Sequence, residues 1–224
     1  MKLSPQGKTA VEVMVIASSV LFTYFFWNSF FIYPIKLFVV LLHESTHCLF
    51  ALISGGSVSE IKIDFQIGGA CIVKGGSPVL IASSGYLGSL FFGGLLFISG
   101  KFLEFSKYVC SILAIIFLIL IFSVIKELFG ILFTLGFAVI LFLSPRVLPV
   151  IVHSYLLKIL GTISCLYTII DIKDDLITTE LRKTDAQILA VHTGISATVW
   201  GIAILLISII FLYFLLRFNF KKSK

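Results

Sequence analysis

The chain has 224 residues, 59% of them hydrophobic and only 12% charged, and its mean hydropathy is +1.14. Soluble domains carry about 25% charged residues, so this composition excludes a soluble enzyme and predicts a polytopic membrane protein. The formal charge of +6 is spread through short loops and tails with no basic face, which fits topology signals and anionic headgroups and excludes a nucleic-acid partner.

The expected fold class is an all-α polytopic membrane protein with about six to seven transmembrane helices. The whole chain, 1–224, reads as one integral-membrane domain without a soluble module. Apolar stretches fall near 10–28, 33–54, 79–100, 107–125, 127–144, 148–171 and 188–216, each close to the ~20 residues that cross a bilayer. The first is long enough to span and lacks a clear small-residue cleavage site, so it is not read as a signal peptide. Only Lys126 and Glu127 interrupt the fourth and fifth, which leaves open one pass or two.

The second stretch contains His43-Glu44-Ser45-Thr46-His47, an H-E-x-x-H pentad. On a helix, residues four apart project from one face, so the two imidazoles can grip one Zn²⁺. Glu44 then lies close enough to exchange protons with a water at the same place. Three ionisable residues in one turn of a membrane helix point to function rather than packing.

The segment 54–78 changes character. It reads SGGSVSEIKIDFQIGGACIVKGGSP, with three Gly-Gly pairs. The alternation from Ile61 to Ile67 predicts a strand, Gly68-Gly69 a turn, and 70–74 a second strand. A Gly-rich β-hairpin after the pentad helix is therefore expected. It can line the catalytic chamber and offer an edge to an extended peptide, or it can be an extramembrane loop with some strand character.

In the third stretch, Gly85, Ser89 and Gly93 share a face on which helices can approach closely, and packing against the pentad helix is expected. Ser84 and Tyr86 are minor catalytic candidates. The sixth stretch ends in Asp171, Asp174 and Asp175. Thr184-Asp185-Ala186-Gln187 then reads as a helix start with Thr184 as N-cap. Cys48, Cys71, Cys110 and Cys165 form no C-x-x-C pair and read as buried, reduced thiols. His153 and His192 read as polar residues at helix ends, with His192 in reserve as a substitute ligand.

Lys2 and Lys8 place the N-terminal end in the cytoplasm by the positive-inside rule. The second and sixth spans then both run inward, which brings the pentad and Asp171 to one side at compatible depth. Seven crossings would, however, leave the basic residues Arg217, Lys221, Lys222 and Lys224 on the far side, against the same rule.

HESTH in a membrane helix, a Gly-Gly-rich hairpin, SGYLGS opening the next helix and the DIKDD helix end together resemble the site-2-protease class of intramembrane zinc metallopeptidases. More narrowly, the likeness is to its compact peptidase-like branch, over roughly Leu37 to Phe97 and again from Tyr167 to Trp200. The resemblance implies His43 and His47 as zinc ligands and Glu44 as general base. It also implies an aspartate on a later membrane helix as third ligand, for which Asp171 fits best, with Asp174 and Asp175 in reserve. The function this implies is hydrolysis of peptide bonds in membrane-spanning or membrane-proximal proteins, with the bilayer as environment. Two alternatives belong to other classes: an inactive metallopeptidase-like scaffold or chaperone, and a metal transporter. The intact Glu44 favours the enzyme. The near absence of ionisable residues in the fourth, fifth and seventh stretches disfavours transport.

Overall fold

The computed structural model describes residues 4–64, 68–177 and 184–221. Its helices are α1 (Pro5–Phe26), α2 (Tyr33–Ile53), α3 (Pro78–Ser99), α4 (Leu103–Ser123), α5 (Leu128–Val147), α6 (Val150–Ile177), α7 (Asp185–Thr193) and α8 (Ala197–Phe220). The antiparallel strands β1 (Ser57–Asp64) and β2 (Gly68–Lys74) follow α2. Seven of the helices are long and apolar enough to cross a membrane; α7 is not among them.

Three boundaries differ from the sequence reading. The link between α4 and α5 is short because it is a strand-like bridge: Ile61 pairs with Ile125, and its N–H donates to the Val124 carbonyl at 2.9 Å. The stretch 188–216 is two helices, since Gly194 takes φ 72 and ends α7 in the left-handed region that favours glycine. The hairpin starts at Ser57, and Gly68-Gly69 belong to β2, with Asp64 opposite Gly68. The turn expected at Gly68-Gly69 is therefore not formed by those residues, which pair within β2; residues 65–67, with the end of the predicted first strand, lie outside the described residues.

Small residues set the helix contacts. A Cβ at Gly161 of α6 would lie 2.5 Å from the Gly93 carbonyl oxygen and 2.6 Å from the Phe97 nitrogen, so α3 and α6 meet backbone to backbone. Hydroxyls cross the same seam: Ser164 donates to the Ser89 carbonyl at 2.9 Å and Thr168 to that of Tyr86 at 3.2 Å. Gly85 and Ser89 face α2 as the sequence stripe predicts, whereas Gly93 packs on α6.

These contacts fix the helix directions. Gly100 meets Ser154 and Tyr86 meets Thr168, so α3 and α6 are antiparallel. Gly201 meets Leu176, while Asn219 donates to Glu12 at 2.9 Å, so α8 runs against both α6 and α1. Lys101, just beyond α3, donates to the carbonyls of Phe218 and Asn219 at 3.0 and 2.9 Å. The start of α1, the end of α3, the start of α6 and the end of α8 therefore share one face.

The exceptional helix is α2. Six residues separate it from the end of α1, and Lys36 holds its ammonium 5.2 Å from the Trp27 ring centroid. It ends beside the start of α3, where the Ser77 N–H donates to the Ser54 hydroxyl at 3.0 Å. Both ends thus lie in the half of the bundle opposite the face just described. Its 21 residues, about 31 Å at 1.5 Å per residue, run obliquely through the interior. Leu37 to Cys48 are buried without interruption, as expected of a helix enclosed on all sides. The seven long apolar helices expected from the sequence are thus present, but their directions do not all alternate. Six helices alternate, and the basic ends of α1 and α8 come to the same face.

Candidate metal centre

The pentad lies where α2 crosses α3. Gly85 makes the crossing possible: a Cβ there would be 2.4 Å from His43 Nε2 and 2.5 Å from His47 Cε1. Gly88 admits Thr46, whose hydroxyl donates to the Ser84 carbonyl at 2.9 Å. Gly85 is seven residues into α3, so the site is roughly 10 Å inside that face of the bundle.

Each imidazole is oriented through Nδ1. His47 Nδ1 is 2.7 Å from the Ile81 carbonyl oxygen, an acceptor only, so this nitrogen carries the proton. His43 Nδ1 is 3.5 Å from Asp171 Oδ2 and 3.4 Å from the Ser89 hydroxyl. Tyr167 in turn donates to the other oxygen of Asp171 at 3.0 Å. Neutral rings held this way present their Nε2 lone pairs to a common point.

Asp185 is at that point. Its Oδ2 lies 3.2 Å from His43 Nε2 and 3.1 Å from His47 Nε2. It is the first residue of α7, placed by a capping box in which the Thr184 hydroxyl accepts from the Gln187 N–H and the Gln187 side chain accepts from the Thr184 N–H. Burial alone would raise the Asp185 carboxyl, but when the rings carry protons on the nitrogens that face it, the charged His47 ring and the hydrogen bonds from both imidazoles outweigh burial and hold the group well below the usual carboxylate range. Three lone-pair donors facing one another need either extra protons on the rings or a cation between them. Two imidazole nitrogens and a carboxylate oxygen are a donor set that suits zinc.

Glu44 is buried beside the histidines, and the three offer ligand atoms within 4.8 Å of one another. Gly69 of β2 lies against it: a Cβ there would be 2.4 Å from Val40 Cγ1 and 3.0 Å from Glu44 Cγ. A cavity of about 720 Å³ opens over the site, walled by α2, β2, the start of α3, the end of α6 and the start of α7.

The other sequence candidates are placed as follows. Asp175 accepts the hydroxyl hydrogen of the fully buried Tyr86, and Asp174 is half-exposed beside Lys173. His153 is buried against the Ser106 hydroxyl at 2.9 Å, and His192 is on exposed α7 surface donating to the Ile188 carbonyl. Cys48 and Cys71, expected as separate thiols, form a disulfide that ties α2 to β2 across a Cα–Cα distance of 6.5 Å. Cys110 and Cys165 are free and buried.

No match was found among curated proteins or among solved structures. The family model described as Peptidase M50B-like matches residues 16–215, which takes in every wall of the cleft, and the chain belongs to that peptidase family.

Proposed function

We propose that the protein is an intramembrane zinc metallopeptidase in which His43, His47 and Asp185 hold the metal and Glu44 is the general base. The observation that carries this reading is an Asp185 oxygen within 3.2 Å of the Nε2 atoms of both histidines, beside Glu44. In this reading Asp171 is not the third ligand that the family resemblance implies. It is the partner that fixes His43 through Nδ1, as carboxylates behind metal-bound histidines do.

Zinc, when bound, supplies a Lewis acid that acidifies water and polarises a carbonyl. The chain's own residues do the rest. Glu44 takes a proton from the water as its oxygen adds to the carbonyl carbon. It returns that proton to the amide nitrogen as the C–N bond breaks. The substrate must be extended, because a helical peptide bond is shielded by its own hydrogen bonds. β1 is bridged on its outer side to Ile125, while the Gly68–Val73 stretch of β2 lines the cavity. An extended segment can pair with β2 there and lie across Glu44.

The test uses purified wild type and Glu44→Gln, with bound zinc and cleavage of a panel of single-span substrates measured together. Zinc in both and a cleavage rate lower by about 10²–10⁴-fold in the variant is the expected result. Zinc in both with cleavage in neither favours the scaffold reading. Zinc in neither removes the metallopeptidase.

A further inference from the structure

We infer that the metal cleft faces the extracytoplasmic side of its membrane. Its substrate is then a membrane-anchored chain whose cleaved segment emerges on that side. The inference builds on the metallopeptidase reading for the word substrate, but the orientation rests on separate observations.

The first is where the cleft opens. Its walls are the end of α6, the starts of α3 and α7, and β2. All lie opposite the face shared by the start of α1 and the end of α8, which the Glu12–Asn219 and Lys101–Asn219 hydrogen bonds define. That face gathers Lys101, Lys107, Arg146, Lys158, Arg217 and Lys221 at or near helix ends. The cleft face carries Lys36, Lys62, Lys74, Lys126 and Lys173. The excess is small, but it lies on the face away from the cleft, and lysine and arginine are retained on the cytoplasmic side.

The second observation is chemical and independent of charge. Cys48 sits one residue after His47, and Cys71 on β2 lines the cavity. The two form a disulfide, whereas Cys110 and Cys165, in α4 and α6, are free. Disulfides persist in oxidising compartments and are kept reduced in the cytosol. A disulfide in the wall of an open cleft therefore places the mouth of that cleft on the oxidising side. Both observations assign the same side.

The orientation is read by labelling the full-length protein in right-side-out and inside-out vesicles with a membrane-impermeant maleimide. Lys74→Cys and Lys62→Cys report the hairpin, and Lys107→Cys reports the opposite face. All three positions are substantially exposed, and two hairpin variants guard against one that misfolds. The hairpin cysteines are expected to label only in right-side-out vesicles and Lys107→Cys only in inside-out ones. In parallel, denatured wild type treated with a mass-tagging maleimide is expected to gain two further tags after reduction. The reverse labelling pattern, or four tags without reductant, overturns the inference. None of these readouts depends on zinc or on cleavage, so failure of the metallopeptidase reading would appear in the Glu44→Gln assay and not here.

Discussion

Asp185 and Asp171 make different demands on the same histidine, and substitution separates them. Asp171→Asn keeps an oxygen that can accept from His43 Nδ1 and removes only its charge. Zinc affinity is expected to fall by about 10–100-fold, as for other groups behind a ligand. Asp185→Asn removes the anionic oxygen facing both Nε2 atoms and is expected to lose zinc more completely. Competition against a chelator measures both, and the opposite order of losses would return Asp171 to the ligand role. The pentad was legible in the sequence because its geometry is local: four residues on a helix bring two imidazoles together whatever the fold. Asp185 could not be singled out among the chain's acidic residues, because it lies 142 residues from His43, at the start of a nine-residue helix and just before the last apolar stretch. The Thr184 capping signal marked that helix correctly, but a cap says nothing about what its first residue faces. The Cys48–Cys71 bond escaped for the same reason: the hairpin creates that proximity across 23 residues.

At the scale of elements, glycines decide which helices can touch. Gly85→Ala directs a methyl into both imidazoles, so it should displace the rings rather than unfold α3. Zinc is expected to be lost while helical circular dichroism is kept; full zinc retention would mean that α2 and α3 can separate to admit the methyl. Gly161→Ala meets backbone atoms of Gly93 and Phe97, which cannot rotate away. Overpacking of this kind costs about 1–3 kcal/mol, expected as a lower unfolding temperature in detergent. The small-residue stripe on α3 was readable as a packing face. Its division between two partners was not, because one-dimensional spacing shows that a surface is smooth without showing which helix covers it. Composition likewise gave the apolar lengths, but not that α2 would return to the side it entered. That depends on Trp27 and Lys36 at one end and the Ser54–Ser77 contact at the other.

For the whole molecule, the face opposite the cleft is closed by a polar knot. Lys158 of α6 pairs with Glu12 of α1, whose Oε1 also accepts from Asn219 of α8. The Lys158 and Glu12 side chains are only 7% and 19% exposed, so little water reaches the pair. Removing one partner from a buried pair leaves the other charge uncompensated, which costs about 3–5 kcal/mol, whereas replacing both with apolar or neutral groups of similar volume is often neutral. Lys158→Met should therefore lower the unfolding temperature sharply. Adding Glu12→Gln should recover most of the loss, because the amide is neutral yet keeps an oxygen for Asn219. The site is remote from this knot, at the other ends of α3 and α6, so zinc affinity of the folded double variant is expected to match wild type. If the double variant were no more stable than Lys158→Met, the pair would have to supply specific geometry beyond mutual neutralisation. The registration of α1, α6 and α8, and with it the side on which the cleft opens, would then depend on the ion pair itself.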